Sequence, residues 1–354
     1  MDKKFWNGKT VLLTGHTGFK GSWLTLWLKR MGAKITGFSK DIPTTPSFFE
    51  LANVKNGINS IEGDIRNFEE INNIIRKIEP EIVIHLAAQS LVRLSYDEPR
   101  ETYGTNVMGT VNLFDALRGQ KKTHIIINVT SDKCYESKEF SRGYTENDVL
   151  GGYDPYSSSK GCSELITTAF RNSYFNISES DNQDIALASV RAGNVIGGGD
   201  WAESRLVPDI IKSIINGKMI KIRNLDAIRP WQHVLEPLNG YILLAEKMWF
   251  DRQKFAQAWN FGPYENDKSV SWVIDKISEI YGKKCNFVTD TSKNPHETKI
   301  LKLDCTKSHT KLGWSPKMDL EKALELTIEW YKEYEKGGDM RKISEKQIDD
   351  FNLM

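Results

Sequence analysis

Residues 10–30 read TVLLTGHTGFKGSWLTLWLKR, and this stretch decides the fold. The apolar run 10–13 predicts a buried β-strand, and the spacing of apolar residues over 21–31 predicts an amphipathic helix. Between them the glycines follow the pattern TGxxGxxG, with Gly15, Gly18 and Gly21 at its three positions. Glycine lets the backbone turn tightly against a diphosphate, which the amides at the next helix N-terminus can bind. The stretch therefore predicts a strand, turn and helix that bind a dinucleotide.

The same alternation of short β-rich runs and helical stretches continues to residue 190. The predicted strands are 10–13, 35–38, 58–62, 82–86, 125–129 and 186–190, and the predicted helices are 21–31, 68–78, 103–118 and 156–174. Strands that alternate with helices are typical of a parallel sheet covered by crossover helices. We therefore predict an α/β fold with a doubly wound parallel sheet, of the Rossmann type, and a smaller C-terminal substrate-binding domain.

Beyond residue 190 the pattern loosens into the glycine-rich run GNVIGGGDW. Helices are expected at 206–215 and 235–248, and a strand at 258–261 that returns to the first sheet. We therefore predict a dinucleotide-binding domain over 1–192 with a return segment 231–261. The substrate domain is expected over 193–230 and 262–340, and the polar tail 341–354 as a surface helix or a frayed end.

Composition excludes several classes of protein. The 354 residues include 39% apolar and 27% charged residues, with 48 Lys and Arg against 47 Asp and Glu. This balance argues against a disordered chain and against a nucleic-acid-binding surface. The four cysteines lack CxxC spacing, so no metal site or disulfide framework is indicated. No apolar run is long enough to span a membrane, and we expect a cytoplasmic enzyme.

The second and third strands end in candidate contacts to the adenosine half of the cofactor. An acidic residue that holds the ribose is expected about 20 residues after the glycine turn, but Ser39 and Lys40 stand there. Lys40 could meet a 2′-phosphate or be a solvated charge, so these residues leave NAD and NADP open. Asp64, which precedes Ile65, could accept a hydrogen bond from the adenine amino group or cap the following helix.

The run YSSSK, residues 156–160, carries the strongest chemical signal. Residues four apart share a helical face, so Lys160 is expected beside the phenol of Tyr156. A neighbouring cation favours the phenolate of a tyrosine, whose ordinary pKa is about 10. Alone, the pair could be an accident of an exposed helix. Together with the glycine turn, it predicts a catalytic base.

The run TSDKCY follows the fifth strand. Ligands of open parallel sheets bind outside the carboxyl ends of the strands, so these side chains should face the crevice that holds Tyr156. Ser131 could hydrogen-bond the reacting hydroxyl, and Asp132 and Lys133 supply an adjacent acid and base. The alternative is a surface turn with a solvated ion pair.

Together these residues resemble the extended short-chain dehydrogenase/reductase family over nearly the whole chain. Further marks of that family are HLAA at 85–88, Asn106, LD at 303–304 and LGWSP at 312–316. The resemblance implies NAD as the cofactor, and it implies cofactor contacts by Gly15, Thr17, Gly18, Phe19, Gly21, Ser39, Asp64, Ile65, Leu86, Ala87, Ala88, Asn106, Tyr156 and Lys160.

Several long runs resemble the nucleotide-sugar 4,6-dehydratases within that family. They are TTPSFFE at 44–50, GGYDPYSSSKGCSE at 151–164, RAGNVIGGGDWAESRLVPD at 191–209 and RPWQHVLEPLNGY at 229–241. This resemblance implies a nucleotide-sugar substrate, contacted by Ser90, Asn194, Arg205, Leu206, Arg229 and His296. It also implies a step toward deoxysugars of surface polysaccharide such as O-antigen, and a homodimer or dimer of dimers packed through the helices 103–118 and 156–174.

The resemblance also implies a division of roles. Tyr156 removes the proton of the sugar 4-hydroxyl, Ser131 orients that oxygen, and Lys160 favours the phenolate. Related dehydratases carry Asp-Glu where this chain has Asp132 and Lys133, so Lys133 is the candidate base at C5 and Asp132 the acid at the departing 6-hydroxyl. The alternatives are a 4-epimerase, a dehydratase of another nucleotide sugar, and a non-catalytic NAD sensor.

Overall fold

A computed structural model of the chain describes residues 2–138, 140–176, 185–264, 267–290 and 300–354. Its centre is a seven-stranded sheet whose paired strands all run parallel. The strands are β1 (Thr10–Thr14), β2 (Lys34–Ser39), β3 (Asn59–Glu62), β4 (Ile82–His85), β5 (Ile125–Val129), β6 (Ala186–Ala192) and β10 (Ala258–Phe261). Their order across the sheet is β10-β6-β5-β4-β1-β2-β3. The predicted doubly wound parallel sheet is confirmed, and so is the return of 258–261 to it.

Both faces of this sheet are buried. In β1, Val11 and Leu13 pack into one apolar core while Leu12 packs into a second core on the opposite face. β5 repeats the pattern, with Ile127 in the first core and Ile126 in the second. Successive side chains of a strand point to opposite faces, so an unbroken apolar run places apolar side chains in both cores. This is why the strands read as continuous apolar runs.

Helices cover both faces of the sheet. In the first half they are α1 (Lys3–Trp6), α2 (Phe19–Arg30), α3 (Phe48–Leu51), α4 (Phe68–Ile78), α5 (Val92–Asp97), α6 (Pro99–Tyr103), α7 (Gly109–Leu117) and α8 (Pro155–Ser173). In the second half they are α9 (Leu206–Asn216), α10 (Leu235–Phe250), α11 (Arg252–Phe255), α12 (Val270–Tyr281), α13 (Leu320–Glu335) and α14 (Met340–Leu353). Within the described segments, none of these helices combines the length and apolar composition that a membrane crossing needs.

The predicted helix 103–118 is interrupted. A π-helical turn, Gly104–Met108, separates α6 from α7. The wider turn coincides with buried Asn106, whose side chain bonds to the loop after β4 and to α8. Apolar periodicity does not reveal such a turn, because the flanking helices keep their ordinary spacing.

The C-terminal half adds two small parallel sheets and a packed terminal helix. β7 (Val195–Ile196) pairs with β9 (Gln232–His233), and β8 (Ile220–Ile222) pairs with β11 (Phe287–Thr289). The residues 341–354 belong to α14, whose Phe351 ring packs edge-on against Trp27 of α2 at 5.6 Å. Of the two alternatives expected for this tail, a helix is observed and not a frayed end, and the buried side chains of Ile348 and Phe351 pack it against the core.

Candidate active site

A cavity of about 1040 Å³ opens beyond the carboxyl ends of β1, β4 and β5. The strand order reverses between β1 and β4, and such switch points are where open α/β sheets bind ligands. The cavity is lined by Gly15, Thr17, Gly18, Phe19, Gly21, Ser39, Asp64, Ile65, Leu86, Ala87, Ala88, Ser90, Ser131, Asp132, Lys133, Tyr156, Lys160, Asn194, Arg205, Leu206 and Arg229. His296, another predicted substrate contact, lies outside the described residues.

The glycine turn packs too closely for side chains. A Cβ atom on Gly21 would lie 2.1 Å from the carbonyl oxygen of Gly15. Gly15 itself has a φ of +74°, and a Cβ there would lie 2.6 Å from the amide of Ala87. The N-cap of α2 is Gly18, which offers no side chain to the first amides of the helix. These amides remain available for a diphosphate, so the turn fits a dinucleotide.

A histidine inside the glycine turn holds the turn against β2 and β3 by hydrogen bonds. His16 is buried, and its ring nitrogens lie 2.8 Å from Ser39 Oγ and 2.8 Å from Ser60 Oγ. Burial lowers the pKa of His16 to about 4, so the ring is neutral at physiological pH. Ser39 also accepts a bond from the amide of Thr17. Sequence reasoning missed His16, which stands at an unspecified position of the motif.

The adenosine end of the cavity carries paired charges. Both carboxylate oxygens of Asp64 accept bonds from Arg66, which lowers the pKa of Asp64. Asn67, and not Asp64, caps α4, so the capping alternative for Asp64 is wrong. Lys40 lies 3.6 Å from Glu101 and is more than half exposed. A lysine already facing a carboxylate is a weaker partner for a 2′-phosphate, which favours NAD over NADP.

Asn106 does not line the cavity. Its buried amide oxygen accepts a bond from the Gln89 amide at 2.9 Å, and its nitrogen donates to the Gln89 carbonyl and to Ser159 Oγ. The direct cofactor contact expected of Asn106 stays a prediction. Asn106 instead holds the loop after β4 against α8.

Tyr156 and Lys160 lie in the first two turns of α8, which is capped by Asp154. Both side chains are buried and line the same cavity. Lys160 Nζ donates to the carbonyl of Val129 at 3.3 Å, and burial lowers the pKa of Lys160 to about 8. The phenol of Tyr156 and the amine of Lys160 therefore lie in one cavity, as their spacing on the helix predicts.

The electrostatics of Tyr156 differ from the expectation. Burial raises its pKa to about 12, while a hydrogen bond with Ser131 and the charge of Arg205 oppose that rise. The charges that act most on this phenol belong to Asp132, Arg205 and Asp154. Burial is therefore the largest influence on the pKa of Tyr156, and Arg205 is the cation that most lowers it.

The turn after β5 presents a carboxylate to the same cavity. Ser131 Oγ donates to Asp132 Oδ1 at 3.0 Å, and Lys133 Nζ lies 3.8 Å from that oxygen. The second oxygen, Asp132 Oδ2, is buried and has no partner among the described residues. Lys133 keeps 29% of its side chain exposed. The alternative of a surface turn with a solvated ion pair therefore fits Lys133 alone, because the side chain of Asp132 is only 2% exposed.

The opposite wall offers groups for an anionic substrate. Arg205 Nη2 donates to Ser90 Oγ at 2.8 Å, and Nη1 lies 3.0 Å from Asp200 Oδ2. Asn194 Oδ1 is buried without a partner among the described residues. Arg229 donates to the carbonyl of Ile228. Two arginines near one cavity suit a diphosphate, whose oxygens match the guanidinium fork.

Lys20 is a cavity residue that sequence reasoning missed. It is half-buried in the first turn of α2, and its ammonium has no hydrogen-bond or ion-pair partner among the described residues. Burial lowers its pKa to about 8; the charge of Arg205 adds to this effect, and that of Asp132 opposes it. The available signal was its place inside the glycine motif, where a cation would meet a bound anion.

Known proteins share this sequence and this fold. The profile of the GDP-mannose 4,6 dehydratase family matches residues 12–327. The chain is 50% identical over 352 residues to a CDP-glucose 4,6-dehydratase of Salmonella typhimurium, covering 99% of this chain and 98% of that protein.

Two solved structures share the fold at low sequence identity. A UDP-glucose 4-epimerase of Thermotoga maritima with UDP-glucose has a TM-score of 0.80 at 22% identity, covering 92% of this chain and 99% of that one. A dTDP-glucose 4,6-dehydratase of Bacillus anthracis in complex with NAD has a TM-score of 0.76 at 22% identity, and the match covers 94% of this chain and 99% of that one. Both likenesses concern the overall architecture.

Proposed function

The chain belongs to the GDP-mannose 4,6 dehydratase family, and on that premise we propose that it is an NAD-dependent lyase that converts CDP-D-glucose to CDP-4-keto-6-deoxy-D-glucose and water. Half of its residues match a CDP-glucose 4,6-dehydratase over nearly the full length of both chains. The runs at 44–50, 130–136, 151–164, 191–209 and 229–241 resemble that enzyme in particular.

The observation that carries this proposal is the free oxygen of a buried carboxylate. Asp132 Oδ2 has no partner within the described residues, although the side chain lies beside Ser131 in the cavity that Tyr156 lines. An unpaired buried carboxyl oxygen is unfavourable unless a ligand or a proton satisfies it. Water elimination needs such an acid at the departing hydroxyl, whereas a 4-epimerase only oxidises and reduces C4.

The cavity residues fit NAD. The diphosphate would lie at the uncapped N-terminus of α2, against Gly15, Gly18 and Gly21, with the adenosine toward Ser39 and Asp64. NAD held there would supply the hydride acceptor for oxidation at C4 of the sugar and the hydride donor for reduction at C6. No external oxidant is then consumed in the net reaction.

The chain supplies the proton transfers. Tyr156 accepts the proton of the 4-hydroxyl during oxidation at C4, and Ser131 and Arg205 stabilise the phenolate. The 4-ketone acidifies the C5 proton, which Lys133 removes. Asp132 protonates the departing 6-hydroxyl, and water leaves. When C6 receives hydride, Lys133 returns its proton to C5. Tyr156 then releases its proton to solvent and Asp132 takes one up, so the net change is the loss of one water molecule.

The roles proposed for Asp132 and Lys133 define the protonation state that the pair must hold. Lys133 must be a free amine to act as a base, and Asp132 must hold a proton to act as an acid. Their closest atoms lie 3.8 Å apart, and the pair has no net charge whichever residue holds the proton. The proposed assignment of the proton to Asp132 therefore leaves the net charge of the cavity unchanged.

The test is incubation of the purified protein with NAD and a panel of CDP-, dTDP-, GDP- and UDP-sugars, followed by mass spectrometry. We expect CDP-glucose alone to lose the mass of one water molecule. A product of unchanged mass with inverted C4 would support an epimerase instead, and bound NAD without any turnover would support a sensor. Either result would overturn the proposed function.

We also propose a homodimer packed through the π-helical turn and α8. Met108 and Leu165 are 52% and 59% exposed on these elements, so a partner subunit would cover two large apolar residues there. Light scattering of the purified protein would measure the mass, and the Leu165→Glu variant should shift it toward the monomer. A monomeric wild-type protein would contradict this proposal.

The expected cytoplasmic location is supported by the four thiols, Cys134, Cys162, Cys285 and Cys305, which are all unpaired. Disulfide-free proteins are typical of reducing compartments. Fractionation of cells that produce the protein would test the location, and recovery from the membrane or exported fraction would contradict it.

A further inference from the structure

The cavity contains a second carboxylate that the proposed chemistry does not use. Asp209 lies in the first turns of α9, lines the cavity and is half-buried. Its side chain has no hydrogen bond or ion pair with any described residue. Lys212, one turn further along α9, donates instead to the carbonyl of Trp201 at 2.8 Å.

The position of Asp209 along α9 indicates which part of the substrate it would contact. Arg205 is the N-cap of the helix and faces the catalytic end through Ser90 and Asp200. Asp209 lies four residues further on, in the first turns of α9, and both side chains line the cavity. The N–H of Asp209 donates to the carbonyl of Arg205 at 3.0 Å, which fixes this relation.

This relation, which rests on the proposed function, locates the base of the substrate. The sugar must reach Tyr156, and its diphosphate then lies at Arg205. The nucleoside continues away from the catalytic end, toward the part of the cavity between α9 and the end of β8. Asp209 of α9 and Ile222 at the end of β8 both line the cavity, and we expect the base to lie beside them.

The pyrimidine bases differ in the group that such a carboxylate would meet. Cytosine presents an amino group at position 4, which donates hydrogen bonds, whereas uracil and thymine present a carbonyl oxygen, which accepts them. A carboxylate accepts from the amino group and repels the carbonyl oxygen. Glu203, another carboxylate on the cavity wall, is exposed to solvent and is less suited to this discrimination.

We propose that Asp209 selects the nucleotide by accepting a hydrogen bond from the 4-amino group of cytosine. Burial raises the pKa of Asp209 to about 6; the charges of Glu203 and Asp200 add to this rise, and those of Lys212 and Arg223 oppose it. The carboxylate is therefore ionised at neutral pH, but its environment destabilises the charge, and a donor from the ligand relieves that cost.

Calorimetric titration of the NAD-loaded protein with CDP and with UDP tests this assignment. The wild-type protein should bind CDP at least about tenfold more tightly than UDP, because one base-specific hydrogen bond gives a discrimination of that order. Asp209→Asn, which has nearly the same shape but an amide that can also donate, should lose most of this preference by weakening CDP and strengthening UDP. Glu203→Gln is the matched control and should keep the wild-type preference.

Turnover separates this inference from the function on which it rests. With CDP-glucose, Asp209→Asn should raise KM about tenfold and leave kcat within about twofold, because the change removes binding and leaves the chemistry intact. Asp209→Ser serves as a second variant if the amide alters folding. Retention of the CDP preference in a folded variant would overturn the role of Asp209 even if the wild-type protein dehydrates CDP-glucose. A wild-type protein that binds CDP selectively but does not dehydrate CDP-glucose would contradict the proposed function alone.

Discussion

Glu164 and Arg191 form an ion pair inside the protein, with Glu164 Oε2 2.7 Å from Arg191 Nη2 and side chains only 1% and 3% exposed. Glu164 lies one turn after Lys160 on α8, and Arg191 lies on β6. The carboxylate also accepts hydrogen bonds from Thr130 Oγ1 and Ser189 Oγ. The pair therefore fixes α8, the helix that carries Tyr156, to the strands beside it.

Glu164→Gln should strongly destabilise the protein. The substitution leaves the Arg191 charge buried without a counter-ion, which lowers the free energy of unfolding by about 3–5 kcal/mol in comparable pairs. Urea denaturation followed by circular dichroism measures this change. Glu325→Gln, in the exposed pair with Lys322, is the control and should change it by less than about 1 kcal/mol. Equal effects of the two substitutions would contradict a structural role for the buried pair.

Asp132→Asn should stop water elimination and spare oxidation at C4. An amide cannot protonate the departing hydroxyl, so elimination should slow by about 10²–10⁴-fold. In a single turnover with CDP-glucose, the absorbance of NADH should appear and persist. Lys133→Ala should behave alike, while Tyr156→Phe should prevent NADH from appearing. Loss of C4 oxidation in Asp132→Asn as severe as the loss of elimination would contradict the assigned role.

The rate of the first oxidation should rise with pH. The pKa of Tyr156 is raised to about 12, so the phenolate fraction grows about tenfold per pH unit well below that value. Arg205 stays charged throughout, so no break is expected near pH 8, where Lys160 loses its proton. Single-turnover rates between pH 6 and 9, with and without Lys160→Met, measure this dependence. A break near pH 8 that disappears in Lys160→Met would show that Lys160 controls the phenolate.

Gly21→Ala should weaken NAD binding. Its Cβ would lie 2.1 Å from the Gly15 carbonyl oxygen, so the turn must open. Overpacking of this kind costs about 1–3 kcal/mol, equivalent to about a tenfold to hundredfold increase in the Kd for NAD. Gly104→Ala is the control, because its Cβ would meet only the Arg66 side chain at 3.5 Å. Calorimetry with NAD gives the Kd values, and an unchanged Kd for Gly21→Ala would refute the proposed position of the diphosphate.

Local sequence patterns were sufficient to predict the parallel sheet and much of the cavity wall. The glycine spacing, the YSSSK run and the turn after β5 all lie at the ends of strands or at the start of a helix. Parallel strands bring these ends to one edge, so the sequence order already implied a shared crevice. Asn106 shows the limit of this reasoning, because its bonds to Gln89 and Ser159 join distant segments that no local pattern relates.

Sequence alone determined the parallel sheet, the dinucleotide turn and the pairing of Tyr156 with Lys160 in one cavity, because periodicity and strand-end geometry act over a few residues. Only the tertiary structure decided that Arg205 meets Ser90 and that Lys20 and Asp209 line the same cavity. It also decided that burial, more than Lys160, governs the phenol of Tyr156. These relations depend on contacts between distant segments and on exclusion of water, neither of which leaves a repeating pattern in the chain.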